Sequence, residues 1–233
     1  MKTYTFNEMI RACNLFTQTE MFKQRVLPGN IGIINKKANF KRMKQFSLLI
    51  LCLLFFMPSF AQETWTIDNA HSNINFEVGW EGFSVRTGEF KIFEGTLVTN
   101  SRDDLSGATF HLKVDPKSLD VIAERLSEQL RGEQFLDADK YPEITYDSHE
   151  ATATSDSTYI SKGKIKIHGV EKDQDVLVKV EGYKKEGRRQ LFGLKVTLSL
   201  NRKDFGLDWG SPRLGDTVHI TGYLLYQARN EEE

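Results

Sequence analysis

Ala108-Thr109-Phe110-His111-Leu112-Lys113-Val114-Asp115 sets each apolar residue two positions from the next and fills every gap with a polar one. A period of two is the pattern of a strand with one face buried and the other in water. The same alternation recurs at Tyr159–His168, along Phe192, Leu194, Val196, Leu198 and Leu200, and along Val218, Ile220, Gly222, Leu224 and Tyr226. Such rows predict half-buried antiparallel strands.

Eight segments of this kind run from residue 64 to residue 228, at about 64–80, 83–98, 107–115, 143–153, 158–168, 173–183, 190–203 and 215–228. Turn residues separate them, among them Glu81-Gly82, Ser155-Asp156-Ser157 and Gly169–Asp173. In the second segment the apolar face switches from Phe90 and Ile92 to Phe93 and Leu97, which predicts a bulge near Phe93-Glu94 with a bend at Gly88. One stretch departs from the period. Ser118–Arg131 spaces Leu119, Ile122, Leu126 and Leu130 as a helix does, with Ser118 as its cap and Gly132 as a left-handed stop. A short helical insert is therefore expected between the third and fourth strands. Eight consecutive antiparallel strands form either a sandwich or a closed barrel, and the alternation alone does not choose.

The first quarter of the chain lies outside this pattern. Lys41, Arg42 and Lys44 precede an apolar run from Leu48 to Met57, and Pro58 and Ser59-Phe60-Ala61 follow it. That order reads as a signal peptide over 43–61, cleaved after Ala61; the run is too short for a membrane span. Residues 1–42 read as an upstream extension, with Met43 as the natural start, and 62–233 as a single domain. The segment 1–61 holds nine of the 31 basic and two of the 32 acidic residues, so 22 basic and 30 acidic residues remain, a net charge of −8. A chain so acidic has no basic field for nucleic acid. Both cysteines, Cys13 and Cys52, leave with the segment, so packing rather than disulfides must hold the domain. At 172 residues, it buries roughly 70% of its unfolded surface, which suffices.

Six stretches carry more specific information. They are Trp65-Thr66-Ile67-Asp68-Asn69-Ala70-His71-Ser72-Asn73-Ile74-Asn75-Phe76-Glu77-Val78; Gly88-Glu89-Phe90-Lys91-Ile92-Phe93-Glu94-Gly95; Leu130-Arg131 followed by Phe135; Lys140-Tyr141-Pro142-Glu143-Ile144-Thr145-Tyr146; Gly163-Lys164-Ile165-Lys166-Ile167-His168-Gly169; and Arg202-Lys203-Asp204-Phe205-Gly206-Leu207. In this order they resemble the YceI-like family of bacterial exported lipid-binding proteins, over nearly all of 64–228. The resemblance implies an eight-stranded antiparallel, lipocalin-like barrel, a polyisoprenoid, quinone tail or similar long-chain lipid held inside it, and a periplasmic or secreted location. Two positions depart from the family pattern: Trp80 stands where a histidine is usual, and Arg125 is followed by Leu126-Ser127-Glu128 without the usual Asp and His.

A lipid carrier needs a lined cavity and a few polar groups at its mouth, not a catalytic constellation. The apolar rows supply Phe76, Val78, Trp80, Phe90, Phe110, Leu112, Val114, Tyr146, Phe192, Leu194, Val196 and Leu198 as candidate lining. The same side chains serve equally to fill a solid interior. At about 0.8 kcal/mol per buried methylene, a few isoprene units give micromolar binding without a polar contact. Arg125, Arg131 and Arg202 are candidates for an anionic head group, with solvated surface arginines as the alternative. His71 is a fourth candidate, with a structural hydrogen bond as its alternative. Phe135 and Tyr141 either close one end of the barrel or pack beneath the helix. Enzyme signatures are missing: Asp204-Phe205-Gly206 has no kinase loops around it, and neither Gly-x-Ser-x-Gly nor His-Glu-x-x-His occurs. His111, His149, His168 and His219 sit on the polar side of their rows and are expected to face solvent, without a third ligand for zinc. No catalytic residue, metal or cofactor is expected, only a bound lipid. A homodimer is one of the assembly states that the sequence leaves open.

Overall fold

In the computed structural model residues 62–101 and 104–229 are described; the upstream extension, the signal peptide and the acidic tail at Glu231–Glu233 lie outside them. The eight alternating segments all form strands, and the first two are each broken once. The first gives β1 (Glu63–Ile67) and β2 (Asn73–Trp80), and the second gives β3 (Ser84–Phe90) and β4 (Phe93–Thr99). There follow β5 (Thr109–Val114), a two-residue β6 (Leu119–Asp120), β7 (Ile144–Ser155), β8 (Thr158–Ile167), β9 (Val170–Glu186), β10 (Arg189–Asn201) and β11 (Leu214–Arg229).

Hydrogen bonds join β1, β4, β5, β7, β8, β9, β10 and β11 in that order, and β1 then pairs back to β11 through Thr66 with Gln227 and Ile67 with Tyr226. Every pairing is antiparallel. This closure makes a barrel and removes the sandwich, because a sandwich leaves edge strands that these eight do not have.

The break between β1 and β2 is built by Asp68-Asn69-Ala70-His71-Ser72. Asp68 caps a turn of 3-10 helix by accepting from the Ala70 N–H at 3.1 Å. Its own N–H donates to the Leu225 carbonyl at 2.7 Å, and the Leu225 N–H donates to Ser72 Oγ at 2.8 Å. The kink thus keeps the ladder groups of β11 satisfied while β1 turns into β2. The second break falls at Lys91-Ile92, beside the bulge expected at Phe93-Glu94. Gly88 is needed there for close approach: a Cβ would lie 2.4 Å from the Phe76 ring and 2.8 Å from the Asp120 carbonyl.

The helical insert lies between β5 and β7 as expected but begins later. Pro116–Ser118 is a 3-10 turn, Leu119-Asp120 pairs with β3, and α1 spans only Glu124–Arg131. Ser118 does not cap α1, because its hydroxyl donates to the Asp115 carbonyl at 2.6 Å. Gly132 is not left-handed either; its φ of −74° and ψ of 176° are extended. The insert covers the edge of β3, whose outer side pairs only with β6 among the described residues.

Gly163 in β8 crosses close over β7, where an added Cβ would sit 2.5 Å from the Asp147 carbonyl and 2.7 Å from the Ser148 Cα. Gly79 has open space at the same position. Gly163→Ala should therefore lower unfolding free energy by about 1–3 kcal/mol in urea denaturation, and Gly79→Ala by well under 1 kcal/mol. Equal costs would count against the close crossing.

Candidate ligand-binding cavity

The inward rows of the barrel differ from one end to the other. Toward the β7–β8 and β9–β10 turns, Trp65, Leu97, Phe192, Leu194 and Tyr226 are at most 1% exposed. Trp65 stacks obliquely on Phe192, with ring centroids 5.6 Å apart, and meets the Tyr183 ring edge-on at 6.2 Å. This end is solid. Toward the other end Phe76, Phe90, Leu112, Val196, Leu198, Val218 and Ile220 also point inward yet are only half-buried. They border a cavity of about 530 Å³, within the range of sites that hold small molecules.

Ten of the twelve candidate lining residues border this cavity: Phe76, Val78, Trp80, Phe90, Phe110, Leu112, Val114, Tyr146, Val196 and Leu198. Phe192 and Leu194 do not. They continue the row of Val196 and Leu198, but cross-barrel neighbours fill the space in front of them. The insert adds Val121, Leu126, Leu130 and Phe135, and the connection from β10 to β11 adds Leu207, Trp209 and Leu214, none of which the alternation marks. Ile74, Val218 and Ile220 lie on rows that it does mark. Phe135 meets Trp209 edge-on at 6.4 Å, whereas Tyr141 packs against His168, 4.5 Å between centroids, away from the lining.

The polar groups deep in the wall satisfy one another. Tyr146 Oη donates to the Ser161 carbonyl at 2.9 Å and lies 3.0 Å from Ser161 Oγ, and burial holds its phenol above the ordinary value. Desolvation raises the Tyr226 phenol as well. Neither ionises near neutrality, so the wall stays uncharged there.

The four head-group candidates sit elsewhere or are already committed. Arg202, fully buried at the cavity edge, spends all five N–H donors within the chain. Nε donates to Gly215 O at 2.8 Å. One terminal nitrogen donates to Leu207 O and to Trp209 O at 2.9 Å. The other donates to Leu214 O at 3.1 Å and Asp216 Oδ1 at 3.4 Å. It clamps the 207–216 connection and has no donor left for a ligand. Arg131 bonds the Leu119 carbonyl at 2.8 Å and pairs with Glu124 at 3.3 Å, fixing α1 to β6. His71 pairs with Asp68 at 3.1 Å outside the cavity, and Arg125 is exposed on α1; neither borders the cavity. Of the other histidines, His111, His149 and His219 are exposed as expected, while His168 is half-buried, with Nδ1 at 3.2 Å from the Phe205 carbonyl. No group of three metal-ligating side chains occurs among the described residues.

The opening lies between the β2–β3 hairpin, α1 and the 207–216 connection, where Phe83, Val85, Ile122 and Trp209 stand exposed. Trp80 sits at this rim, with the guanidinium of Arg86 5.0 Å and that of Arg213 5.2 Å from its ring centroid.

A family model described as the YceI-like domain matches residues 65–224. A UPF0312 protein of Vibrio cholerae (strain M66-2) is 29% identical over 158 residues, 66% of this chain and 82% of its own length. Among solved structures, Burkholderia cenocepacia BcnA superposes with a TM-score of 0.60 at 23% identity, over 68% of this chain and 98% of its own. A polyisoprenoid binding domain from Saccharophagus degradans, implicated in plant cell wall breakdown, gives 0.55 at 17%, over 70% and 98%. At these identities the two structures speak for a shared fold.

The clamp predicts that Arg202→Met, which keeps the length but removes the donors, costs at least about 3 kcal/mol of stability in urea denaturation. Arg202→Lys should recover only part of that, since one ammonium cannot reach both sides of the connection. Near-wild-type stability for Arg202→Met would contradict the clamp.

Proposed function

This chain belongs to the YceI-like domain family, and from that premise we propose that it is an extracytoplasmic carrier that holds a polyisoprenoid, an isoprenoid quinone or a similar long-chain lipid in its barrel. The YceI-like barrel fold supports lipid binding in general. The observation that carries the reading is the row of inward apolar side chains left half-exposed around about 530 Å³ of space. A core that merely packed would close on itself, because interiors of folded proteins leave few voids larger than a water molecule. An alkyl or prenyl chain seated there covers that surface, at a gain of roughly 25 cal/mol per Å² removed from water.

The chemistry of the wall favours binding over catalysis. Among the described residues that border the cavity there is no Asp, Glu, His, Lys or Cys, so the hydroxyls of Thr87, Thr145, Tyr146 and Ser161 have no general base in the wall to activate them. That the Saccharophagus degradans structural neighbour is described as a polyisoprenoid binding domain supports a prenyl chain as the cargo here. An extracytoplasmic site of action rests on the charged-then-apolar order of residues 41–61.

Expression of the full chain in a bacterium, organic extraction of the purified protein and mass spectrometry should yield a long-chain apolar lipid in near-stoichiometric amount. Leu198→Trp, which places an indole in the hollow, should lose that lipid while its unfolding midpoint holds. Recovery of no apolar compound, together with no rise in melting temperature on adding prenyl lipids, would sink the carrier reading. Terminal sequencing of the protein from the cell envelope or medium should begin at Gln62; retention of the N-terminal segment in the cytoplasm would remove the location.

A further inference from the structure

Only two charged side chains border the cavity among the described residues, Arg86 and Arg202. Arg202 is spent on its clamp. Arg86 is not: it makes no hydrogen bond or ion pair with any described residue, and the Trp80 ring is what holds it. Its position is unusual for a cation. In the β2–β3 ladder Arg86 lies opposite Val78, Gly88 opposite Phe76 and Phe90 opposite Ile74. Directly opposed residues share a face, so Arg86 continues an apolar inward row up to the rim. An arginine on such a row loses hydration on its cavity side, which the Trp80 ring offsets only in part until an anion arrives.

The surroundings prepare the guanidinium for an anion. The Trp80 ring, 5.0 Å from the guanidinium, holds Arg86 in place, which limits the rotamer entropy lost on binding. Arg213 lies over the same indole at 5.2 Å, and its Nε pairs with Glu81, so that charge is largely neutralised. Arg86 is left as the uncompensated positive charge at the mouth of an uncharged hollow. We propose that Arg86, braced on Trp80, receives an anionic head group, a phosphate or a carboxylate, of the lipid whose tail occupies the cavity. The fork of its terminal nitrogens matches two oxygens of either group, and the low-dielectric wall beside it strengthens the pair. This assignment rests on the carrier reading and adds to it the class of head group.

The test uses the full-length mature protein stripped of lipid, titrated calorimetrically with geranylgeranyl monophosphate, geranylgeraniol and inorganic phosphate. The phosphate ester should bind at least about tenfold tighter than the alcohol of the same chain. Arg86→Ala should bring the ester down to the alcohol and leave the alcohol unchanged, and Arg86→Lys should fall between. Arg86 is exposed, so far-UV circular dichroism and the unfolding midpoint should not move; Trp80→Leu, which keeps an apolar rim, provides a second variant and should lower the ester preference by several-fold. Equal affinity for ester and alcohol, or an ester preference that survives Arg86→Ala, overturns the assignment. Inorganic phosphate bound as tightly as the ester would also overturn it, by marking a free-ion site. Failure of both lipids to bind would instead remove the carrier reading, and this assignment with it.

Discussion

The cavity depends on a change in what closes the wall along a single barrel. Eight closed strands enclose a width that large side chains fill and small ones do not. At the solid end the inward layers carry Trp65, Leu97, Phe192 and Tyr226, which meet across the axis. At the other end Phe76, Phe90, Leu198 and Ile220 share the inward positions with Val78, Gly88, Val196, Val218 and Gly222, and Cβ atoms at Gly88 and Gly222 would already collide with Phe76 and Val196. The ladders close around the solid end, whereas at the other end β3 pairs with β2 and the two-residue β6 but with none of the eight closed strands. The hollow therefore lies where the ring of ladders gives way and the insert, through Val121, Leu126, Leu130 and Phe135, takes the place of a strand in the wall.

Keeping such a hollow from collapsing requires rigid surroundings. Arg202 supplies part of that rigidity by gathering Leu207, Trp209, Leu214 and Gly215 through their carbonyls onto one planar group. Ser127 does the same on the opposite side, where its buried hydroxyl accepts from the Val121 N–H at 2.9 Å and ties the start of α1 to the segment after β6. Lys91 binds Asp120 across the same junction, and its hydrogen bond lowers the carboxyl below the usual carboxylate range despite desolvation. Each contact spends polar groups so that apolar ones can stay apart.

The fold was largely legible because alternation is a local rule. His111 and Lys113 against Phe110 and Leu112 decide a strand face without reference to anything distant. The break at Asp68–Ser72 was not read that way, since it depends on Leu225, more than 150 positions away in sequence, to take up the displaced hydrogen bonds. The start of α1 was misplaced for a similar reason: Ser118 has the chemistry of a cap, but the Asp115 carbonyl claims its hydroxyl first. Within the site the limit is sharper. Leu194 and Val196 are neighbours on one row with one pattern, yet only Val196 meets open space, because that outcome is set by what faces them across the axis. Likewise Arg86 and Arg202 are indistinguishable as letters; five carbonyl and carboxylate partners separate them in space.

The stopper of aromatic rings at the solid end has a further consequence. Under the proposed function, a sleeve closed at that end would admit its cargo tail first and return it head first, so a donor or acceptor of the lipid would meet only the end that protrudes. The sleeve would also act as a gauge. A chain that bottomed out against the Tyr226 layer would leave any surplus length among Val85, Ile122 and Trp209, which stand exposed at the rim. Discrimination among homologous chains would then be written in how much of each stays outside, not in how well its buried part is gripped.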